Sequence, residues 1–161
     1  MWNELASFAL DSSLNEWIAA TYWLWPVLEI LHFIGLSLLF GGLLIVDLRM
    51  LGWFASLQQL RVNKLLPLVI CGFAINLITG VLFYFGDPAR YSANIAFKIK
   101  MGLILLAGCN ALLHHVLLVR SARDQTEVLS QPFQKISAAI SLLAWLGVLL
   151  FGRLIPYIGT G

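Results

Sequence analysis

Residues 26–46 read PVLEILHFIGLSLLFGGLLIV, and this stretch decides the fold, because its only ionisable side chains are Glu29 and His32. About 20 such residues in a helix span a hydrocarbon core of about 30 Å. Three further stretches, 65–85, 101–119 and 136–157, have the same character. With their flanking turns they predict membrane helices over about 26–47, 65–85, 96–119 and 136–158. The connectors are short, so neighbouring helices should run antiparallel as one all-α, up-and-down four-helix bundle, a single membrane domain covering 1–161.

Composition agrees with a bilayer protein. The chain is 60% hydrophobic and 11% charged, with a mean hydropathy of +0.88, against about 45–50% apolar and 25% charged in a soluble domain. A net charge of +2 with scattered Lys and Arg gives no basic face for nucleic acid. Cys71 and Cys109 lie inside predicted helices without CxxC spacing, so they are read as packing residues.

Ahead of the first span, Glu4, Asp11 and Glu16 occur without Lys or Arg, so no cleavable signal peptide is expected. Ser13-Leu14-Asn15-Glu16 has the spacing of a capping box and precedes Trp17, Tyr22, Trp23 and Trp25, aromatics suited to a membrane interface. A helix lying on the surface is predicted over about 13–23. Pro26 suits the first turn of the span that follows.

Basic residues orient the bundle. Arg49, Arg61 and Lys64 fall in the first loop and Arg120, Arg123 and Lys135 in the third, against Arg90, Lys98, Lys100 and Arg153 at the other side. Both termini are therefore expected to face outward.

An ionisable group within the bilayer costs about 2.5–3.5 kcal/mol, so those present should face the interior and have partners. They form two layers. Glu29, His32, Lys98, Lys100, Met101 and Arg153 lie near the outer end; Asp47, Arg49, Asn110, His114, His115 and Arg120 lie near the other. The eighteen residues from Glu29 to Asp47 make about five turns, which predicts one shared face. On the third span two heptad seams compete, Met101–Gly108–His115 and Lys100–Ala107–His114. The first is preferred, since Gly108 would let a flat macrocycle approach the backbone.

Histidines in both layers with basic residues nearby suit b-type haem, whose iron takes an imidazole and whose propionates take cations. His32 is the candidate outer ligand, with Lys98, Lys100 or Arg153 for propionates, Glu29 to orient the ring and Met101 for the opposite face. His114 or His115 would serve an inner haem, with Arg49 or Arg120 beside it. His32 and His114 are on the order of 12 Å apart in depth, so they call for separate sites. One or two haems per chain follow, although three histidines are too few for two bis-histidine sites.

Simpler roles stand beside these. Glu29 with Lys98 or Lys100 can be a buried ion pair. Asn76, Thr79, Ser137 and Ser141 can join helices by hydrogen bonds, and Gly35, Gly41 and Gly42 can let helices, or a second copy of the chain, approach closely. Glu29-x-x-His32 has di-iron spacing, but the other spans lack the carboxylates a di-iron site needs.

Residues 25–35 and 47–52, with Phe97-Lys98-Ile99-Lys100, Asn110 to His115 and Gly152 to Tyr157, resemble a family of uncharacterised bacterial inner-membrane proteins. That family is distantly similar to four-helix membrane cytochromes b and to the membrane part of copper-resistance proteins. The resemblance implies a multi-pass inner-membrane protein and a functional set of Glu29, His32, Asp47, Arg49, Lys100, Arg153 and His115, the additional His114 departing from the pattern; with the orientation read from the basic residues, both termini are expected in the periplasm. The leading expectation is a haem b protein that transfers electrons across the membrane, to or from quinone or a redox partner. The alternatives are a copper- or proton-handling transporter using Glu29, His32 and Met101, and a structural subunit.

Overall fold

The computed structural model describes residues 2–54, 64–123 and 130–158. These are helical almost throughout: α1 Trp2–Leu10, α2 Ser13–Ala20, α3 Leu24–Leu51, α4 Leu66–Gly86, α5 Pro88–Ala93, α6 Ile95–Arg123 and α7 Gln131–Leu154. Four of them, α3, α4, α6 and α7, are long and apolar enough to cross a membrane. The predicted bundle is present; α3, α6 and α7 run a turn or so beyond their apolar cores at one end or both, and α4 matches its core to within a residue. Arg61 and the side chain of Arg123 lie outside the described residues.

Local chemistry sets the helix ends. Ser12, one residue before the predicted cap, closes the start of α2 by accepting from the Asn15 N–H at 3.2 Å. Gly52 ends α3 at φ 77°, a left-handed conformation that costs glycine nothing, and its N–H reaches the Arg49 and Leu48 carbonyls. Asp87 ends α4 and begins α5, accepting from the Arg90 N–H at 3.2 Å, with Pro88 in the first turn.

The spans pack as two pairs, α3 with α4 and α6 with α7, joined through α3 and α7; α4 and α6 make no comparable contact. Small residues permit the tight pair. A Cβ on Gly72 would lie 2.6 Å from both the Gly35 carbonyl oxygen and the Leu39 nitrogen, so these two backbones touch. Leu39, Val69, Ala107, Ala144, Trp145 and Val148 form the shared core.

The inward side of α3 includes Leu28, Gly35 and Gly42, a seven-residue repeat. Asp47 is buried, with the Ser141 hydroxyl of α7 facing its carboxyl, whereas Glu29 is exposed, so the two carboxylates do not share an inward face as predicted.

One end of the bundle carries α1, α2 and α5. Asn94, fully buried, ties this end together: its Nδ2 donates to the Ile155 and Ile158 carbonyls at 2.8 and 2.5 Å, and its Oδ1 accepts from the Phe97 N–H. Asn15 donates to the Phe85 carbonyl at 2.6 Å and fastens α2 to α4. The sequence predicts one surface helix here; the structure adds α1 and α5, which are only nine and six residues long.

Candidate functional site

A pocket of about 690 Å³ lies between α4 and α6, bounded by α3 and α7 and faced by α1. Its wall is aliphatic and aromatic, with four polar side chains prominent in it: His32, Asn76, Lys100 and Arg153. Phe97 helps close it, stacked with Tyr84 at 6.0 Å and met edge-on by Trp2 of α1 at 6.0 Å. The volume is within the range of about 300–1,000 Å³ typical of sites for small molecules and cofactors.

Hydrogen bonds determine how His32 presents itself. The Thr79 hydroxyl lies 2.7 Å from His32 Nδ1 and also 2.7 Å from the Ile75 carbonyl oxygen. A carbonyl can only accept, so Thr79 gives its proton to Ile75 and takes one from Nδ1–H. The ring is thereby held as the Nδ1–H tautomer, and Nε2 keeps a free lone pair. Phe83 packs against the ring edge-on at 5.5 Å and limits its rotation. A histidine fixed through one nitrogen with the other available is the arrangement that metals and proton donors use.

Lys100 and Met101 enter the same pocket from α6. Gly152 makes room for the lysine: a Cβ there would stand 3.4 Å from Lys100 Nζ. Arg153 is exposed near the end of α7, its guanidinium 5.6 Å from the Tyr157 ring centroid. Lys98 is half-buried but is not part of the pocket wall, since two residues along a helix face nearly opposite ways.

Glu29 departs from its expected role. It is exposed and accepts from Trp25 Nε1 at 3.2 Å, and among the described residues it pairs with neither Lys98 nor Lys100. Thr79, read beforehand only as a helix-joining residue, orients the histidine instead.

The opposite end is arranged differently. Ala107 is 3% exposed while Gly108 and His115 face outward, so the inward seam is Lys100–Ala107–His114, the reverse of the predicted preference. Bulk settles this choice, because Ala107 fits against Ala144 and Trp145 in the core. His114 lies face to face with Phe133, at 6.3 Å and 4°, and its Nδ1 is enclosed. Arg49 closes the last turn of α3, and Arg120 is exposed near the end of α6. Asp47 is 4% exposed, and the Ser141 hydroxyl faces its carboxyl.

Among the described residues no three His, Cys, Asp or Glu side chains converge as metal ligands would. The arrangement therefore offers one imidazole nitrogen in a large apolar space, with cations at its margin. No protein-family model, curated protein or solved structure matches the chain.

Proposed function

We propose that this chain is a membrane haem b protein that carries electrons, with its haem in the pocket between α4 and α6. The observation that carries this reading is the 2.7 Å contact of His32 Nδ1 with the Thr79 hydroxyl, at the wall of about 690 Å³ of apolar space; with Thr79 donating to Ile75, it leaves Nε2 as the ring nitrogen available to a ligand. His32, lining the pocket from α3, and Met101, lining it from α6, would hold the haem iron. Lys100 and Arg153 answer the two propionates. The haem supplies a reversible one-electron couple; the protein's part is to hold the imidazole, exclude water with Phe97 and Trp145, and balance charge.

Haem at one end only is the form of the proposal that fits these contacts. A second haem would need His114 to leave Phe133 or the exposed His115 to turn inward. Its electrons would then have the remaining depth to cross to a quinone or a redox partner protein.

A quinone headgroup in the same pocket is the second reading, favoured by Lys100 and His32 together in an aromatic cavity, where a carbonyl oxygen could accept from the ammonium. The copper reading loses support because Glu29 is turned to Trp25 rather than to His32.

The test is the visible spectrum of the detergent-purified protein. A Soret band with dithionite-reducible α and β bands, abolished by His32→Ala with the protein still monodisperse, supports haem. A colourless wild-type protein that takes up no added hemin refutes it, and a co-purifying quinone lost in Lys100→Gln would establish the second reading.

A further inference from the structure

Asp47 is not part of the pocket, and its surroundings form an ordered series of polar contacts along α7. Phe133, Ser137, Ser141 and Trp145 are spaced by four residues, so they lie one above another on one face, about 6 Å apart. Each of the first three meets a polar group on a neighbouring helix. His114 stacks on Phe133. Asn110 donates to the Ser137 carbonyl at 3.0 Å and accepts from the Ser137 hydroxyl at 3.2 Å. Ser141 faces Asp47. The fourth, Trp145, belongs to the wall of the large pocket.

The two ends of this series have unmet hydrogen-bonding capacity. Asp47 Oδ2 and His114 Nδ1 are fully enclosed and have no hydrogen-bond partner among the described residues. Buried polar atoms of this kind are rare, and each calls for an explanation. Among the described residues no cation is placed against Asp47: Ser141 is the α7 side chain that meets it, α4 contains no Asp, Glu, Lys, Arg or His, Lys100 and His114 lie about two turns away to either side on the inward seam of α6, and Arg49 lies two residues further along α3, where the helix turns it nearly the opposite way. A carboxyl retained there without a counter-ion is best used to accept and release a proton.

We infer that Asp47 is a proton-binding site, reached from the end opposite α1 by way of His114, Asn110, Ser137 and Ser141. The reaction is a simple transfer: a hydronium ion gives its proton to the Asp47 carboxylate, leaving the neutral acid and water, and the reverse step returns it. His114 relays at the mouth, the hydroxyls and amide hold the connecting water, and Trp145 closes the series against the pocket. The inference is independent of what occupies that pocket.

The test uses the full chain in vesicles with a single orientation, treated with a hydrophobic carbodiimide, which couples to protonated carboxyl groups in membranes. Peptide mass spectrometry should find the adduct on Asp47. Its yield should fall as the pH on the His114 side is raised, stay constant as the pH on the α1 side is changed, and be insensitive to sodium. Asp47→Asn should lose the adduct, and His114→Leu should blunt the response to a pH jump. Absence of the adduct at every pH overturns the proposal; so does protection by sodium, which would mark a metal-cation site, or a yield that follows the α1-side pH. These wild-type readouts decide the matter even if a variant does not fold.

Discussion

Replacing Thr79 with valine tests the tautomer argument most directly. Valine keeps the shape of threonine at a position 3% exposed but has no hydroxyl, so His32 Nδ1–H loses its acceptor at 2.7 Å. Two magnitudes can then be compared. Interhelical hydrogen bonds in membranes contribute about 0.6 kcal/mol on average, so the bundle should stay folded with a small drop in melting temperature. Partners that orient a metal-bound histidine weigh more, about 10–100-fold in affinity, or roughly 1.4–2.7 kcal/mol. Titrating hemin into the detergent-solubilised apoprotein and following the Soret band should therefore show weakened binding out of proportion to the stability loss. Thr79→Ser retains the hydroxyl and should recover most of the affinity. A Thr79→Val protein that binds hemin as tightly as wild type would refute the argument that Thr79 presents Nε2 to the pocket.

Three further outcomes follow from other contacts. Gly72→Ala sets its new Cβ 2.6 Å from two backbone atoms of α3, neither of which can swing aside, so thermal unfolding should show a loss of about 1–3 kcal/mol; Gly41→Ala, with nothing within 4 Å, should be neutral or better. Lys100→Gln removes a positive charge from the haem's surroundings and should lower the midpoint potential in a redox titration; an unchanged potential would place the ammonium away from the iron. Tyr91, in α5 beyond the spans, is pushed above the ordinary tyrosine value of 10.0 chiefly by burial, partly offset by Arg90. A raised folded-state value means stability is intact below 10.0 and is lost as pH climbs through the higher one. Melting temperature should thus fall in strong alkali, and Tyr91→Phe should flatten that limb.

Span number was legible because the hydrophobic requirement of a bilayer is written residue by residue, and a 20-residue apolar run has few other uses. The direction each side chain faces was much less so. Lipid is as apolar as a bundle interior, so hydrophobicity does not distinguish the two sides of a helix such as α3. Size helps where two small residues meet, as Gly35 against Gly72 and Ala107 against Ala144 do, but it is not decisive, since Gly41, Gly102 and Gly108 face open space. His32 was found because a lone histidine in a span is conspicuous. Thr79 does join helices, as a hydroxyl in a span suggests, but that its partner is His32, forty-seven residues away, appears only when α3 and α4 are side by side. Glu29 was overvalued: its charge draws notice, yet near the membrane boundary it need only reach Trp25.

The pairing of the spans has a mechanical side. Two stiff covers, α3 with α4 and α6 with α7, share a spine along α3 and α7, while their free edges, α4 and α6, are scarcely bound to each other. Spreading those edges breaks no tight helix contact and replaces side-chain neighbours with lipid tails of similar cohesion. Away from the α5 end, where Phe97 stacks on Tyr84, the α4–α6 side is therefore the least tightly packed wall of the chamber, in contrast to the Gly35–Gly72 seam that keeps Thr79 against His32.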